Sequence, residues 1–426
     1  MSILLKNISY LDIKKECIVE NKDILIEDNK IVKIGEDLED LTVDNVIYGN
    51  NKLAVPAYVN SHSHLGMTMM RNYADDLDLN TWLNEKIWPF EAKLTDEDIY
   101  WASLGSIVEN IKSGTSTVCD MYYSMDKVSE AIKKSGIRGV LTRGLMDING
   151  GGEERLEETR ELYKNYHNYA NGRVKIVPAP HAIYTCSTDY LKEIINMSKE
   201  FDSVINIHIS ETIKEIEDCK ETNNMTPVEY LNSIGLFDLK VIGAHCTHIT
   251  DEEIELVKNK NFYPVYNPSS NLKLASGFTP IDKLLKAGIK VAIGTDGSSS
   301  NNNQNMVEEI HIGSIVNKAV ELNAEVVPAV EVLKMATVNG AEAMGFDAGS
   351  IEEGKLADIQ IYDLNSMNFT PNNNLISALC YSASSNDILD LIVDGNLIMK
   401  NREILTIDEE YIKYKINKLT KELINR

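Results

Sequence analysis

A chain of 426 residues with 42 Lys and Arg against 65 Asp and Glu carries a formal net charge of −23 at pH 7. So acidic a chain argues against nucleic-acid and anionic-membrane partners, because phosphate backbones want clustered Lys and Arg. With 43% hydrophobic and 25% charged residues it is not a disordered protein, and no stretch approaches the ~18 consecutive apolar residues of a membrane span.

Met1-Ser2-Ile3-Leu4-Leu5-Lys6 lacks a basic n-region, a long apolar core and a cleavage site, so no signal peptide is expected. The six cysteines are scattered with no two three apart, which excludes a CxxC site and fits reduced thiols in a cytoplasm. The first stretch reads as β: Ser2 to Leu5, Asp23 to Glu27 and Lys30 to Gly35, with a hairpin turn over Glu27-Asp28-Asn29-Lys30.

After Pro56 the texture changes, and short β-branched runs alternate with helix-period segments, the signature of repeated βα units. Eight strands are predicted at Ala54–Asn60, Thr115–Met121, Arg138–Arg143, Val174–Ala179, Val204–Ile209, Val241–His245, Tyr263–Asn267 and Val291–Thr295. Amphipathic helices are expected over Thr95 to Lys112, Ser124 to Ser135 and Glu153 to Tyr169. The first opens with Asp98 at the capping-box distance from Thr95. The run Ser298 to Asn303 directly follows a strand end and is read as an ordered βα loop rather than a linker. From about Gly349 the β texture returns, at Ala357–Asp363 and Ile388–Leu397. The expected fold is α/β: a (β/α)₈ TIM barrel over 56–348, with a small β-sandwich domain built from 1–55 and 349–426, the latter ending in a helix.

Five of the eight histidines fall at or just past predicted strand ends, where barrel active sites lie. His62 and His64 form His-Ser-His. Residues i and i+2 of extended chain point the same way, so both imidazoles can face one ion at ~2.0–2.1 Å. His208 ends strand five and Asp296 ends strand eight. Three imidazoles and a carboxylate suit a borderline divalent ion, Zn²⁺ first and Fe²⁺ as the alternative, with water completing the shell. His167, His248 and His311 are read as structural or outer residues.

This constellation, in this order, resembles the amidohydrolase superfamily over essentially the whole chain, including the closing Gly349-Ser350-Ile351-Glu352-Glu353-Gly354-Lys355-Leu356-Ala357-Asp358-Ile359 segment. The resemblance implies a barrel of the metal-dependent hydrolase type. Val177-Pro178-Ala179-Pro180-His181 lacks the bridging lysine of binuclear members, so it looks like the mononuclear branch. The narrower likeness is to 5′-methylthioadenosine/S-adenosylhomocysteine deaminases. It is carried by Asp75-Asp76-Leu77, Trp82-Leu83, Trp88-Pro89-Phe90-Glu91-Ala92-Lys93-Leu94, Arg143, Arg155, Pro180-His181 and His208-Ile209-Ser210-Glu211-Thr212. Ser61-His62-Ser63-His64 departs from the usual Thr-His-Thr-His, and Ser298 and Ser299 stand where the family usually has alanines.

The likeness implies hydrolytic deamination at C6 of adenine in a small-molecule nucleoside, with one metal per chain lowering the pKa of water toward ~7. Asp296 would bind the ion through one oxygen and take the water proton with the other. Glu211, its pKa raised in a water-poor pocket, would give a proton to ring N1. His245, ending strand six, would hydrogen-bond the attacking water and the developing C6 oxygen, or else be a second metal ligand. Glu91 would accept the ribose hydroxyls and His181 would contact the nucleoside. Arg143 and Arg155 would meet the carboxylate of a homocysteine tail. Arg143 has no acidic neighbour within Leu141–Leu145, whereas Arg155 lies among glutamates. Trp82 and Trp88 pack either on the thioether or in the loop core. A homo-oligomer is implied by resemblance alone. The alternatives are another mononuclear amidohydrolase (an adenosine, guanine, cytosine or pterin deaminase, or a triazine chlorohydrolase) and a non-catalytic ligand-binding barrel.

Overall fold

The computed structural model describes residues 2–38, 43–424 and 426. Five strands open the chain: β1 (Ser2–Asp12), β2 (Cys17–Glu27), β3 (Lys30–Gly35), β4 (Asn45–Tyr48) and β5 (Lys52–Pro56). The barrel follows with β6 (Tyr58–His64), β7 (Thr115–Tyr122), β8 (Arg138–Leu145), β9 (Val174–Ile176), β10 (Ala179–Pro180), β11 (Ile205–Ile209), β12 (Val241–His245), β13 (Phe262–Tyr266), β14 (Ala292–Ile293) and β15 (Asp296–Gly297). Four more strands close the chain: β16 (Ile359–Asp363), β17 (Ile388–Val393), β18 (Asn396–Lys400) and β19 (Glu403–Ile404).

Strands from both chain ends share one sheet, in the order β19-β18-β17-β16-β5-β1-β2-β3 with β4 beside β1. Its two faces follow the period of two. Ala54 joins an apolar cluster with Ile3, Leu5, Ile24, Ile359 and Ile392, while Leu53 and Val55 point the other way, into the barrel's core. The Glu27–Lys30 hairpin closes as expected, with Asp28 at φ +52°.

The other strands run parallel as eight staves. β9 with β10 makes the fourth stave, interrupted where Pro178 has no N–H to give. β14 with β15 makes the eighth, which returns to β6 by pairing Asp296 with Ser63. The fourth and fifth staves join through His208 N–H to the His181 carbonyl at 3.0 Å. Gly294 allows the closure: a Cβ there would lie 2.6 Å from the backbone nitrogen of His62.

One predicted strand is corrected. Ala54–Asn60 straddles two strands, because at Pro56 and Ala57 the backbone changes partners from β16 to β7; Tyr58 N–H already bonds the Gly114 carbonyl. Both sides of the seam are buried, so hydropathy does not mark it. His62 and His64 therefore lie inside the last residues of β6, not beyond it.

Thr95 caps the helix Asp96–Lys112 in a capping box with Asp98. The helix expected over Glu153–Tyr169 runs Gly152–Tyr166, ending before residues of positive φ at Asn168 and Ala170. The terminal helix Glu409–Ile424 leaves the sheet and lies along Asp96–Lys112, with Lys415 to Glu97 at 3.1 Å and Lys112 to Glu409 at 3.0 Å. Among the described residues no helix is long and apolar enough to cross a membrane.

Candidate active site

Five histidines meet at the C-terminal mouth of the barrel. The ring of His62 lies 4.9 Å from that of His64, 4.8 Å from His208 and 5.5 Å from His245, and His181 lies 4.8 Å from His208. Asp296 reaches across from the eighth stave, its Oδ1 3.1 Å from His64 Nε2 and 3.5 Å from His62 Nε2. Three of these strand ends depart from ordinary backbone: Ser210, His245 and Asp296 have φ of +51°, +73° and +61°. Left-handed non-glycine residues persist only where the surroundings hold them, and they concentrate at functional sites.

The ring nitrogens are sorted by hydrogen bonds. Nδ1 of His64 donates to the Met121 carbonyl at 2.6 Å, Nδ1 of His208 to the His181 carbonyl at 2.7 Å, and Nδ1 of His245 to Asn271 Oδ1 at 2.8 Å. Each bond fixes the tautomer and leaves the Nε2 lone pair bare toward the centre, the arrangement of metal-ligating imidazoles. Neither ring nitrogen of the fully buried His62 has a hydrogen-bond partner. A buried orphan imidazole is costly unless something binds it. Two sets have donor atoms mutually within 4.8 Å: His62, His64 and Asp296, and His62, His208 and His245. This donor chemistry fits a zinc-like divalent ion.

The histidines and Asp296 are electrically coupled. Burial would raise Asp296, but His62 and His64 hold it well below the carboxylate range. Burial would lower His64, yet the hydrogen bond and charge of Asp296 carry it up to about 9. His62, where burial wins, falls to about 4. Asp296 Oδ2 turns away from the histidines and accepts the hydroxyls of Ser270 at 2.6 Å and Ser300 at 3.0 Å. Ser298 to Asn301, the first part of the run expected as a βα loop, is buried.

Glu211 Oε2 is 3.7 Å from His245 Nε2, and its Oε1 accepts from Ser276 at 3.3 Å. Burial raises its pKa, the charge of Asp296 adds to this, and His245 works against it. Glu215 grips the backbone N–H groups of Ser210 and Glu211 at 2.9 and 2.8 Å and so fixes where Glu211 points.

A small deep chamber of ≈ 80 Å³ is lined by His64, His181, His208, Glu211, His245 and Asp296, with Trp82 and Trp88 on its wall. Leu83, Trp88, Glu91, Tyr123, Met146 and Leu274 line both this chamber and an outer cleft of ≈ 900 Å³. Glu91 thus sits at the junction. It accepts the Tyr122 hydroxyl at 2.6 Å, and burial pushes its carboxyl up to about 7. Trp82 also serves the loop core, donating to the Ala74 carbonyl at 3.0 Å. Asp75 ties this first loop to the loop after β13 through Lys273 at 2.5 Å.

Two expected residues are not brought into the lining. Arg143 does have an acidic partner: its Nε donates to Glu158 Oε2 at 2.9 Å, and its guanidinium stacks 4.9 Å over the Tyr123 ring. Glu158 lies 15 residues on, in the following helix, beyond the reach of a local reading. Arg155 donates to the Met146 and Gly150 carbonyls, both at 2.6 Å, and holds that loop rather than pairing with the neighbouring glutamates. Neither arginine lines the chamber or the cleft, although each touches a lining residue: Arg143 the Tyr123 ring and Arg155 the Met146 carbonyl. His167, His248 and His311 lie outside the cluster on backbone partners, as expected.

Sequence reasoning missed Ser270, Asn271, Ser300 and Tyr122. A usable signal was the polar run Asn267-Pro268-Ser269-Ser270-Asn271 immediately after a barrel strand.

The amidohydrolase family model matches residues 53–398. The chain is 50% identical, over the whole of both chains, to the 5-methylthioadenosine/S-adenosylhomocysteine deaminase of Thermoanaerobacter pseudethanolicus. It is 46% identical to the 5′-deoxyadenosine deaminase of Methanocaldococcus jannaschii, over 98% of each. A crystal structure of an adenosine deaminase from Xanthomonas campestris with bound zinc superposes with a TM-score of 0.95 at 28% identity, covering 100% of this chain and 99% of that one.

Proposed function

We propose that this chain, which belongs to the amidohydrolase family and is a hydrolase of C–N bonds, removes the 6-amino group of adenine nucleosides altered at the 5′ position. S-adenosylhomocysteine and 5′-methylthioadenosine are the substrates, and the inosyl compounds and ammonia are the products. The observation that carries this reading is the deep chamber, whose lining brings His64, His208, His245 and Asp296 together with Glu211, a buried carboxyl whose pKa burial raises.

His62, His64, His208 and Asp296 would hold one divalent ion, zinc by preference. When bound, it supplies the Lewis acidity that lowers the pKa of water toward ~7. Asp296, held ionised, accepts the proton of the attacking water. Glu211, its pKa raised by burial, is the group to donate a proton to ring N1 as C6 becomes tetrahedral, so negative charge does not build on the ring. His245 hydrogen-bonds the incoming oxygen through Nε2, its tautomer set by Asn271. His181 lines the nucleoside's path. Glu91 at the chamber's exit accepts the two ribose hydroxyls. The 5′ substituent extends into the outer cleft, whose volume exceeds what a methylthio group needs. A homocysteine carboxylate would reach Arg143 by replacing Glu158 on the guanidinium, with Arg155 holding the loop alongside.

The test is an ammonia-release screen of adenosine, 5′-methylthioadenosine, S-adenosylhomocysteine, guanine and cytosine on metal-loaded protein. Turnover of the 5′-modified adenosines above the others is expected, and preference for guanine or cytosine would overturn the reading.

The division into a small β-sandwich (1–55 and 349–426) and a barrel (56–348) is proposed on the same footing. It is supported by Ile31 and Asn29, which bond Lys355 and Ala357 and curl the sheet toward itself. Cytoplasmic location is proposed from the scattered cysteines and homo-oligomerisation from the resemblance; localisation of the tagged protein and size-exclusion chromatography test them.

A further inference from the structure

One buried carboxylate, which the deamination steps do not use, connects the two loops that hold Asp296. Glu309 stands in the first turn of the helix Met306–Val320 and is fully buried. Its two oxygens reach different loops. Oε2 accepts the backbone N–H of Ser269 at 3.1 Å, in the short helix Pro268–Lys273 of the βα connection after β13, and Oε1 accepts the side-chain amide of Asn301 at 2.7 Å, in the connection after β15. Each partner is the sequence neighbour of a serine whose hydroxyl donates to Asp296 Oδ2, Ser270 on one side and Ser300 on the other. Asn271, two residues past Ser269, holds His245 Nδ1. The Asn301 amide also donates to the Thr295 carbonyl at 2.7 Å, which pins the second loop to the residue just before Asp296.

A carboxylate suits this place for a reason of inventory. Both groups facing it are donors, and an ionised carboxylate accepts at both oxygens while donating at neither. An amide or a protonated acid would set a donor against a donor on one side. We propose that Glu309 is a positioning residue of the active site: by joining the loops after β13 and β15 it fixes Ser270 and Ser300 on Asp296, and Asn271 on His245. The inference rests on the deaminase reading, in which Asp296 and His245 handle the water. Glu91, which meets the sugar, is held by Tyr122 on β7, so the effect falls on turnover more than on substrate capture.

The experiment is Glu309→Gln in the full-length, metal-loaded protein, assayed with 5′-methylthioadenosine. The amide keeps the shape and removes one acceptor. Loosening a catalytic constellation by a fraction of an ångström to 1 Å costs up to ~10²-fold, so kcat is expected to fall about 10- to 100-fold with KM within about 2-fold, and with metal content and circular dichroism unchanged. Ser300→Ala added to Glu309→Gln is expected to cost less than the product of the two single losses, because both act along one path. A normal kcat, an equal rise in KM, or fully multiplicative losses would overturn the inference. Should Glu309→Gln fail to fold, Asn301→Ser releases one loop only and carries the same expectation and the same refutation. A wild-type protein inactive on every adenine nucleoside overturns the deaminase reading and this inference with it. An active wild type with an unaffected Glu309→Gln overturns this inference alone.

Discussion

Tyr122→Phe isolates the recognition of sugar from the chemistry on the ring. The Tyr122 ring packs against Gly66, where a Cβ would come within 2.2 Å of it, and phenylalanine keeps that ring, so the barrel wall is preserved. What disappears is the 2.6 Å hydrogen bond to Glu91. Burial already lifts Glu91 to about 7, and the tyrosine hydroxyl is the main influence holding it down. A hydrogen bond to a charged group is worth about 1.5–3 kcal/mol. At 1.36 kcal/mol per pKa unit, its loss raises Glu91 by roughly one to two units. A carboxyl with a raised pKa is neutral below that value and ionised above it, and only the ionised form accepts from both ribose hydroxyls. At pH 7 the ionised fraction then drops from about half to roughly 1–10%, so KM for a ribonucleoside rises on the order of 5- to 50-fold. At pH 9 the difference shrinks to within about 2-fold, and a 2′,3′-dideoxynucleoside shows little difference at either pH. Wild-type KM itself should rise as pH falls below about 7. Steady-state kinetics at both pH values with both sugars decide the matter. An unchanged KM at pH 7, or a gap that persists at pH 9 and with the dideoxy sugar, would refute the reasoning.

Three further outcomes are expected. His62→Ala should lose bound metal and nearly all activity while keeping its circular dichroism, since the apolar core lies below the site; metal analysis reads this, and a full metal equivalent with normal turnover would reject the ligand set. Glu211→Gln keeps size and hydrogen bonding without a transferable proton, so kcat should fall by the ~10²–10⁴-fold of a positioned acid, with metal content unchanged. Arg143→Met should lower kcat/KM for S-adenosylhomocysteine about 10- to 150-fold, as for a lost charged hydrogen bond, and much less for 5′-methylthioadenosine. Equal losses would mean that Arg143, stacked on Tyr123 and paired with Glu158, only shapes the wall.

The histidine cluster is legible in the sequence because its signals are local. His62 and His64 share a face by the period of two, and His208, His245 and Asp296 each close an apolar run that can only be a buried stave. The (β/α)₈ rhythm is legible for the same reason. The seam at Pro56 is not, because Ala54 to Tyr58 is buried on both sides of it and an unbroken apolar run carries no mark of a change in partner.

The residues that orient the histidines and Asp296 are hidden for a different reason. A ligand must offer a particular donor atom, so few residue types serve, and a histidine at a strand end is conspicuous among only eight. An orienting group need only supply one hydrogen bond of the right sense. Here the task falls to a carbonyl on Met121, a hydroxyl on Ser270, an amide on Asn271 and a carboxylate on Glu309, residues that elsewhere in this chain are ordinary loop and helix components. Their partners lie 26 residues away for Ser270 and Asp296, and 31 for Tyr122 and Glu91. Those separations become contacts when neighbouring staves pack side by side, the seventh with the eighth and the first with the second, so the information sits in the assembly of the barrel and not in any window of the chain. Arg143 makes the same point from the opposite side. Among its neighbours it looks like a charge in need of a substrate, and a helix 15 residues later has already met that need.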